Sequence, residues 1–158
     1  MNKLKYLGYS IVFQEVPDEV TLAINISGCP HRCEGCHSKY LWEYEGNYIS
    51  DDLVGLIEKY KDLITCVCFM GGDQNLHEVV QCFKTVKSHG LKTCLYSGLD
   101  ELPSHMPPNI FDYIKLGHYD YKLGGLDKPT TNQIFWKLIV DEQSGLTKFA
   151  DITYLFQV

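Results

Sequence analysis

The chain lacks any apolar run approaching the roughly 20 residues of a membrane-spanning helix, so the sequence excludes a helical membrane span. It also lacks a tract of clustered Lys and Arg. With 14 basic against 20 acidic residues the net charge is -6, which argues against nucleic acid as a direct partner, because a phosphate backbone needs clustered cations. The N-terminal stretch has two lysines but no long apolar segment and no small-residue cleavage site. It reads as mature protein, and the chain as cytoplasmic, with no membrane partner. There is no internal repeat, no low-complexity segment and no Pro/Gly-rich linker. A single domain over residues 1–158 is therefore expected, long enough to bury a core without disulfides.

The seven cysteines are odd in number, which disfavours a complete disulfide framework. Cys66, Cys68, Cys82 and Cys94 are scattered through apolar stretches and read as small buried hydrophobes. Cys29, Cys33 and Cys36 instead crowd into the loop Ser27-Gly-Cys-Pro-His-Arg-Cys-Glu-Gly-Cys-His-Ser38. Disulfide pairing leaves one of these three over. Zinc would take the three thiolates with His31 or His37 in a tetrahedral site, but no second cysteine knuckle exists. An iron–sulfur cubane takes three thiolates from one loop and leaves its fourth iron open. Spacing favours the cluster over zinc without eliminating zinc.

Hydrophobic periodicity orders the rest. Residues 4–16 and 22–26 read as strands of an opening hairpin around Pro17-Asp-Glu19. Ser50 reads as the N-cap of a helix whose stripe is Leu53, Leu56, Ile57 and Tyr60. A continuous apolar run over 64–70 predicts a strand buried on both faces, ending in Gly71-Gly72-Asp73. A second helix carries Leu76, Val79, Val80, Phe83 and Val86 and closes at Gly90. Strands follow over 91–96 and 113–116, and two late strands are expected over 135–140 and 152–156. Strand and helix alternation of this kind predicts an α/β fold with a parallel sheet. The length is too short for a full eight-unit barrel, so a partial, open βα barrel of about five or six mostly parallel strands is expected, with an N-terminal hairpin. In such sheets function collects at the C-terminal strand ends. That rule selects the cysteine loop, Gly71-Gly72-Asp73, Ser97-Gly98 and Lys115 to His118.

The spacing Cys-x3-Cys-x2-Cys, with Gly-Gly-Asp after the next strand, resembles the radical S-adenosylmethionine (radical SAM) superfamily. Asp73 stands where that superfamily has Glu, one methylene longer. The strand-end Leu-Tyr-Ser-Gly98, the stretch Ile114 to Tyr119, Leu123-Gly-Gly-Leu126 and Pro129 to Gln133 are similar to the activating proteins of anaerobic (class III) ribonucleoside-triphosphate reductase. This similarity runs from about residue 10 to the C-terminus. The resemblance implies Cys29, Cys33 and Cys36 as ligands of a [4Fe-4S] cluster, with S-adenosyl-L-methionine on the open iron. It implies cofactor contacts from Gly35, Cys36, His37, Gly71, Gly72, Asp73, Ser97 and Lys115, and no catalytic side chain beyond the cluster ligands. It further implies an oxidoreductase that forms a 5'-deoxyadenosyl radical and installs a glycyl radical on the large reductase subunit, fed by a flavodoxin- or ferredoxin-like donor. Trp42 and Tyr44 are candidates to shield the cluster or to pack in the core. Thr130 to Gln133 read as a helix start or a substrate contact, and His118 as rim or core. Two alternatives stand beside this reading: a small-molecule radical SAM enzyme of the 7-carboxy-7-deazaguanine synthase type, and a non-catalytic zinc module.

Overall fold

The computed structural model describes residues 2–36 and 38–157. Its strands are β1 (Lys5–Val12), β2 (Thr21–Ile26), β3 (Asn47–Tyr48), β4 (Cys66–Met70), β5 (Lys92–Tyr96), β6 (Tyr113–Leu116), β7 (Ile134–Val140) and β8 (Thr147–Asp151). They form one sheet in the order β3-β1-β2-β4-β5-β6-β7-β8. Strands β2, β4, β5 and β6 pair in parallel. Antiparallel strands flank them, β1 and β3 on one side and β7 and β8 on the other.

The opening hairpin forms as expected, but the sheet differs from five or six mostly parallel strands. Among the described residues it has eight, and only three of the seven pairings are parallel. The excess comes from short edge strands. Asn47–Tyr48 is too short to show alternation. Thr147–Asp151 exposes three of its five residues and carries little apolar signal. The late strand expected over 152–156 is instead a 3-10 turn, Thr153–Phe156, opened by the Asp151 carboxylate, which accepts from Thr153 N at 2.9 Å and from its hydroxyl at 2.6 Å.

Two α-helices cover one face of the parallel strands. Helix α1 (Ile49–Tyr60) buries Ile49, Leu53, Leu56 and Ile57. Its N-cap is Tyr48, with no side-chain cap, so Ser50 lies within the first turn rather than before it. Asp51 and Asp52 suit the positive end of the helix, and Asp52 accepts from the Tyr6 hydroxyl at 2.6 Å. Burial and that carboxylate push the Tyr6 phenol up to about 12.

Helix α2 (Leu76–Ser88) starts at Asn75, whose side chain accepts from Glu78 N at 3.2 Å. Glu78 in turn accepts from Leu4 N at 2.8 Å, which ties the helix start to the N-terminal segment. Val79, Val80, Phe83 and Val86 form its buried stripe, and Gly90 follows at φ +76°.

The two faces of the sheet carry different cores. Under the helices lie Ile24, Val67, Phe69, Leu95 and Ile114. The opposite face holds Cys66, Cys68, Cys94, Tyr113 and Phe135. Burial pushes the thiols of Cys66 and Cys94 well up, so these cysteines are packed, protonated thiols. Among the described residues no helix is long and apolar enough to cross a membrane.

Candidate functional site

Strand register builds the site. Asn25, Met70, Tyr96 and Lys115 are successive partners across β2, β4, β5 and β6. Because side chains alternate, they point to one face. Met70, Tyr96 and Lys115 line a cavity of about 190 Å³ at the C-terminal ends of the parallel strands. Its other walls include Cys29, Cys33, Cys36, Gly71, Gly72, Asp73, Ser97 and Gly98. Three loops that the sequence singled out therefore meet there, with Lys115.

The cysteine loop leaves β2 through Gly28 at φ +77°. Backbone bonds hold its base, from Gly28 N to Glu43 O at 3.0 Å and from Cys29 N to Leu41 O at 2.9 Å. Cys36 N donates to Cys33 O at 3.1 Å, closing a turn over Glu34 and Gly35. Ser38 N donates to Cys36 Sγ at 3.4 Å. All three cysteines are free and half-buried.

Asp73 is the hub. Its side chain is 4% exposed. One carboxylate oxygen accepts from Ser97 Oγ at 2.6 Å. The other accepts from Gly98 N at 2.8 Å and meets His31 Nε2 at 2.6 Å. His31, which the sequence offered as a possible zinc ligand, thus ties the cysteine loop to the strand ends. Gly98 is glycine for this reason, since a Cβ there would stand 2.6 Å from the His31 ring. Gly71 and Gly72 have φ of +111° and +128°, a region L side chains rarely adopt, so the chain can turn sharply into Asp73.

Lys115 is 8% exposed and donates to Ser97 O at 2.7 Å and Gly117 O at 3.0 Å. Burial pulls its ammonium down to about 8, against the opposing pull of Asp73, Cys33 and Cys29. Among the described residues no carboxylate lies within bonding distance of this buried cation, which lines the thiol cavity.

Several expectations land elsewhere. Gly35 does not line the cavity. Its close approach is to Tyr121, whose Cβ would stand 3.0 Å from an added Cβ. His37 lies outside the described residues. His118 turns from the cavity to Asp100, Nδ1 to Oδ1 at 2.9 Å. Trp42 lies under Arg32, and the Tyr44 hydroxyl donates to Lys3 O, so neither lines the cavity. Thr130 to Gln133 form no helix. Thr130 and Thr131 hydroxyls donate to Leu123 O and Gly124 O, clasping the loop after β6. Tyr119, Met70 and Tyr96 are cavity residues that sequence reasoning missed. The strand-end rule reached Lys115 but stopped one residue short of Tyr119.

Residues 19–105, more than half of the chain, match the family described as a 4Fe-4S single cluster domain. The chain belongs to that family. The comparisons with curated proteins and with solved structures gave no match. Membership in the 4Fe-4S single cluster family decides between zinc and iron–sulfur in favour of the cluster. The donor set fits it, with three free thiols on one loop at one cavity and a buried ammonium that favours anionic sulfur. Among the described residues no three His, Cys, Asp or Glu side chains are gathered to hold a single ion. The fit therefore rests on donor chemistry and family.

Proposed function

We propose that this chain is a radical SAM activase of an anaerobic ribonucleotide reductase. The observation that carries the proposal is the Cys-x3-Cys-x2-Cys loop, whose three free thiols face Gly71-Gly72-Asp73 across one strand-end cavity. In this reading Cys29, Cys33 and Cys36 would hold a [4Fe-4S] cluster, with S-adenosylmethionine bound beside it. Reduced by one electron from a flavodoxin- or ferredoxin-like donor, the bound cluster and S-adenosylmethionine would supply a 5'-deoxyadenosyl radical able to take a hydrogen from a glycine Cα of the large reductase subunit, with methionine released.

The chain's own residues bind and orient. Asp73 offers its carboxylate to the methionine ammonium, which must share or displace the His31 contact. The Gly71 and Gly72 backbone permits close approach, because no Cβ intervenes. Ser97 fixes the Asp73 carboxylate, and Lys115 supplies positive charge for an anionic group. The four parallel strands then form an open barrel whose C-terminal rim admits a backbone loop. Such a protein, with reduced thiols, suits the cytoplasm.

The test is anaerobic. The reconstituted, reduced protein is mixed with S-adenosylmethionine and the reductase large subunit. A glycyl-radical signal by electron paramagnetic resonance, with about four irons per chain, is expected. Cofactor cleavage without that signal removes the activase reading and leaves a small-molecule substrate. A colourless protein with stoichiometric zinc removes both.

A further inference from the structure

A second cavity lies on the opposite face of the sheet, with a volume of about 650 Å³. That is within the several hundred Å³ usual for binding sites. Its presence follows from the connections. The crossover from β4 to β5 carries α2, which covers that face. The connection from β5 to β6 carries only the 3-10 turn Pro108–Ile110. The outer face of β6, β7 and β8 is therefore left without a helix. Ile114, Leu116, Ile134, Trp136 and Phe149 form its floor, and Leu102 one wall.

Its polar edge carries two acids, Asp100 and Glu101, with His118 paired to Asp100 and the amide of Asn132. Both acids line the groove, and among the described residues no Lys or Arg does. The Asp100 side chain is 69% exposed. Its contact with His118 holds its carboxyl below the usual range. Asn132 adds a specific feature. Its Nδ2 donates to His118 O at 3.1 Å, while its Oδ1 is buried without a partner.

We propose that this groove is a docking site for an amphipathic helix of another protein, with an apolar stripe on the floor and Lys or Arg beside Asp100 and Glu101. An i, i+3, i+4, i+7 stripe is how a helix fills an apolar trough. The acidic edge repels phosphate-bearing ligands and steers a cationic segment. A second copy of this chain is a poor occupant, since α1 and α2 already bury their apolar stripes in the core. The site lies beside the cluster cavity through one loop, because Gly117, which lines the groove, also holds Lys115 by its carbonyl. The inference does not depend on the iron chemistry or on the reductase.

The probe is a synthetic, helix-stapled peptide with Leu on one face and Lys on its flanks, beside a twin with Glu for Lys. Calorimetry on the intact, cluster-loaded protein at low salt should give micromolar binding of the Lys peptide and at least tenfold weaker binding of the twin. An Asp100→Lys/Glu101→Lys variant should reverse that order. The Trp136 emission should shift on binding, and Trp136→Phe should lose the shift but keep the binding. Equal binding of both peptides, no binding, or binding without a Trp136 response overturns the proposal. A dimer in sedimentation that Glu101→Lys dissolves also overturns it, by assigning the face to a second copy.

Discussion

Asp73→Asn is the most informative single change at the cavity. The native carboxylate takes three contacts at 2.6 to 2.8 Å, from Ser97 Oγ, Gly98 N and His31 Nε2, in a side chain almost wholly out of water. Hydrogen bonds to a charged group contribute about 1.5–3 kcal/mol each, and neutral ones about 0.5–1.5. Asparagine keeps an acceptor for Gly98 but weakens each contact by about 1 kcal/mol. It also turns a donor toward Ser97 and removes the negative charge that most favours the Lys115 ammonium. The sum is about 3 kcal/mol, or a midpoint lowered by about 6–12 °C in a chain of this size. Anaerobic urea and thermal unfolding measure it. His31→Ala removes one contact and should cost less, about 1 kcal/mol. The double variant should fall short of additivity by a similar amount, because both changes break the same bond. An Asp73→Asn chain within about 0.5 kcal/mol of its parent would refute the claim that this carboxylate is the joint between cysteine loop and strand ends.

If the cysteine loop holds the cluster as proposed, Cys29→Ala, Cys33→Ala or Cys36→Ala each lowers iron per chain and bleaches the visible absorbance, whereas Cys82→Ala, in a helix core with its thiol pushed up to about 12, leaves both intact. Lys115 titrates near 8 folded and 10.5 unfolded, so between these values the unfolded chain binds more protons and stability from this group rises with pH. Its penalty falls from about 3 to about 1 kcal/mol between pH 7 and pH 10, and urea midpoints of Lys115→Met against wild type should converge or cross by that amount; a constant difference over the range would count against a buried ammonium. Gly72→Ala forces a Cβ to 2.7 Å from Val79 Cγ2 at φ +128° and should cost at least about 2 kcal/mol in thermal unfolding.

The local elements were readable because their signals are local. Helix α2 carries its stripe, its Asn75 cap and its closing Gly90 within one continuous segment. Strands β4 and β6 are apolar runs bounded by glycine, and the structure places them within two residues of expectation. The helix start at Tyr48 was misread because Ser50 has cap chemistry but sits inside the first turn. Strand β8 was missed because an edge strand needs little apolar content, and its partner rather than its own sequence makes it a strand.

The sequence by itself determined the donor chemistry: three cysteines in one short loop, a glycine pair before an acid, and a helical and strand periodicity that alternates along the chain. Tertiary structure decided what these residues face. Met70, Tyr96 and Lys115 are brought into one row by strand pairing between residues far apart in the chain, and no local pattern encodes that row. Asp73 became a hub because β5 ends beside β4 and the cysteine loop folds over both. The empty outer face of β6 to β8 exists because one connection has no helix, and its apolar floor is visible only when three strands are paired. Periodicity records which side of an element is buried; which elements then share a surface is fixed by long-range pairing.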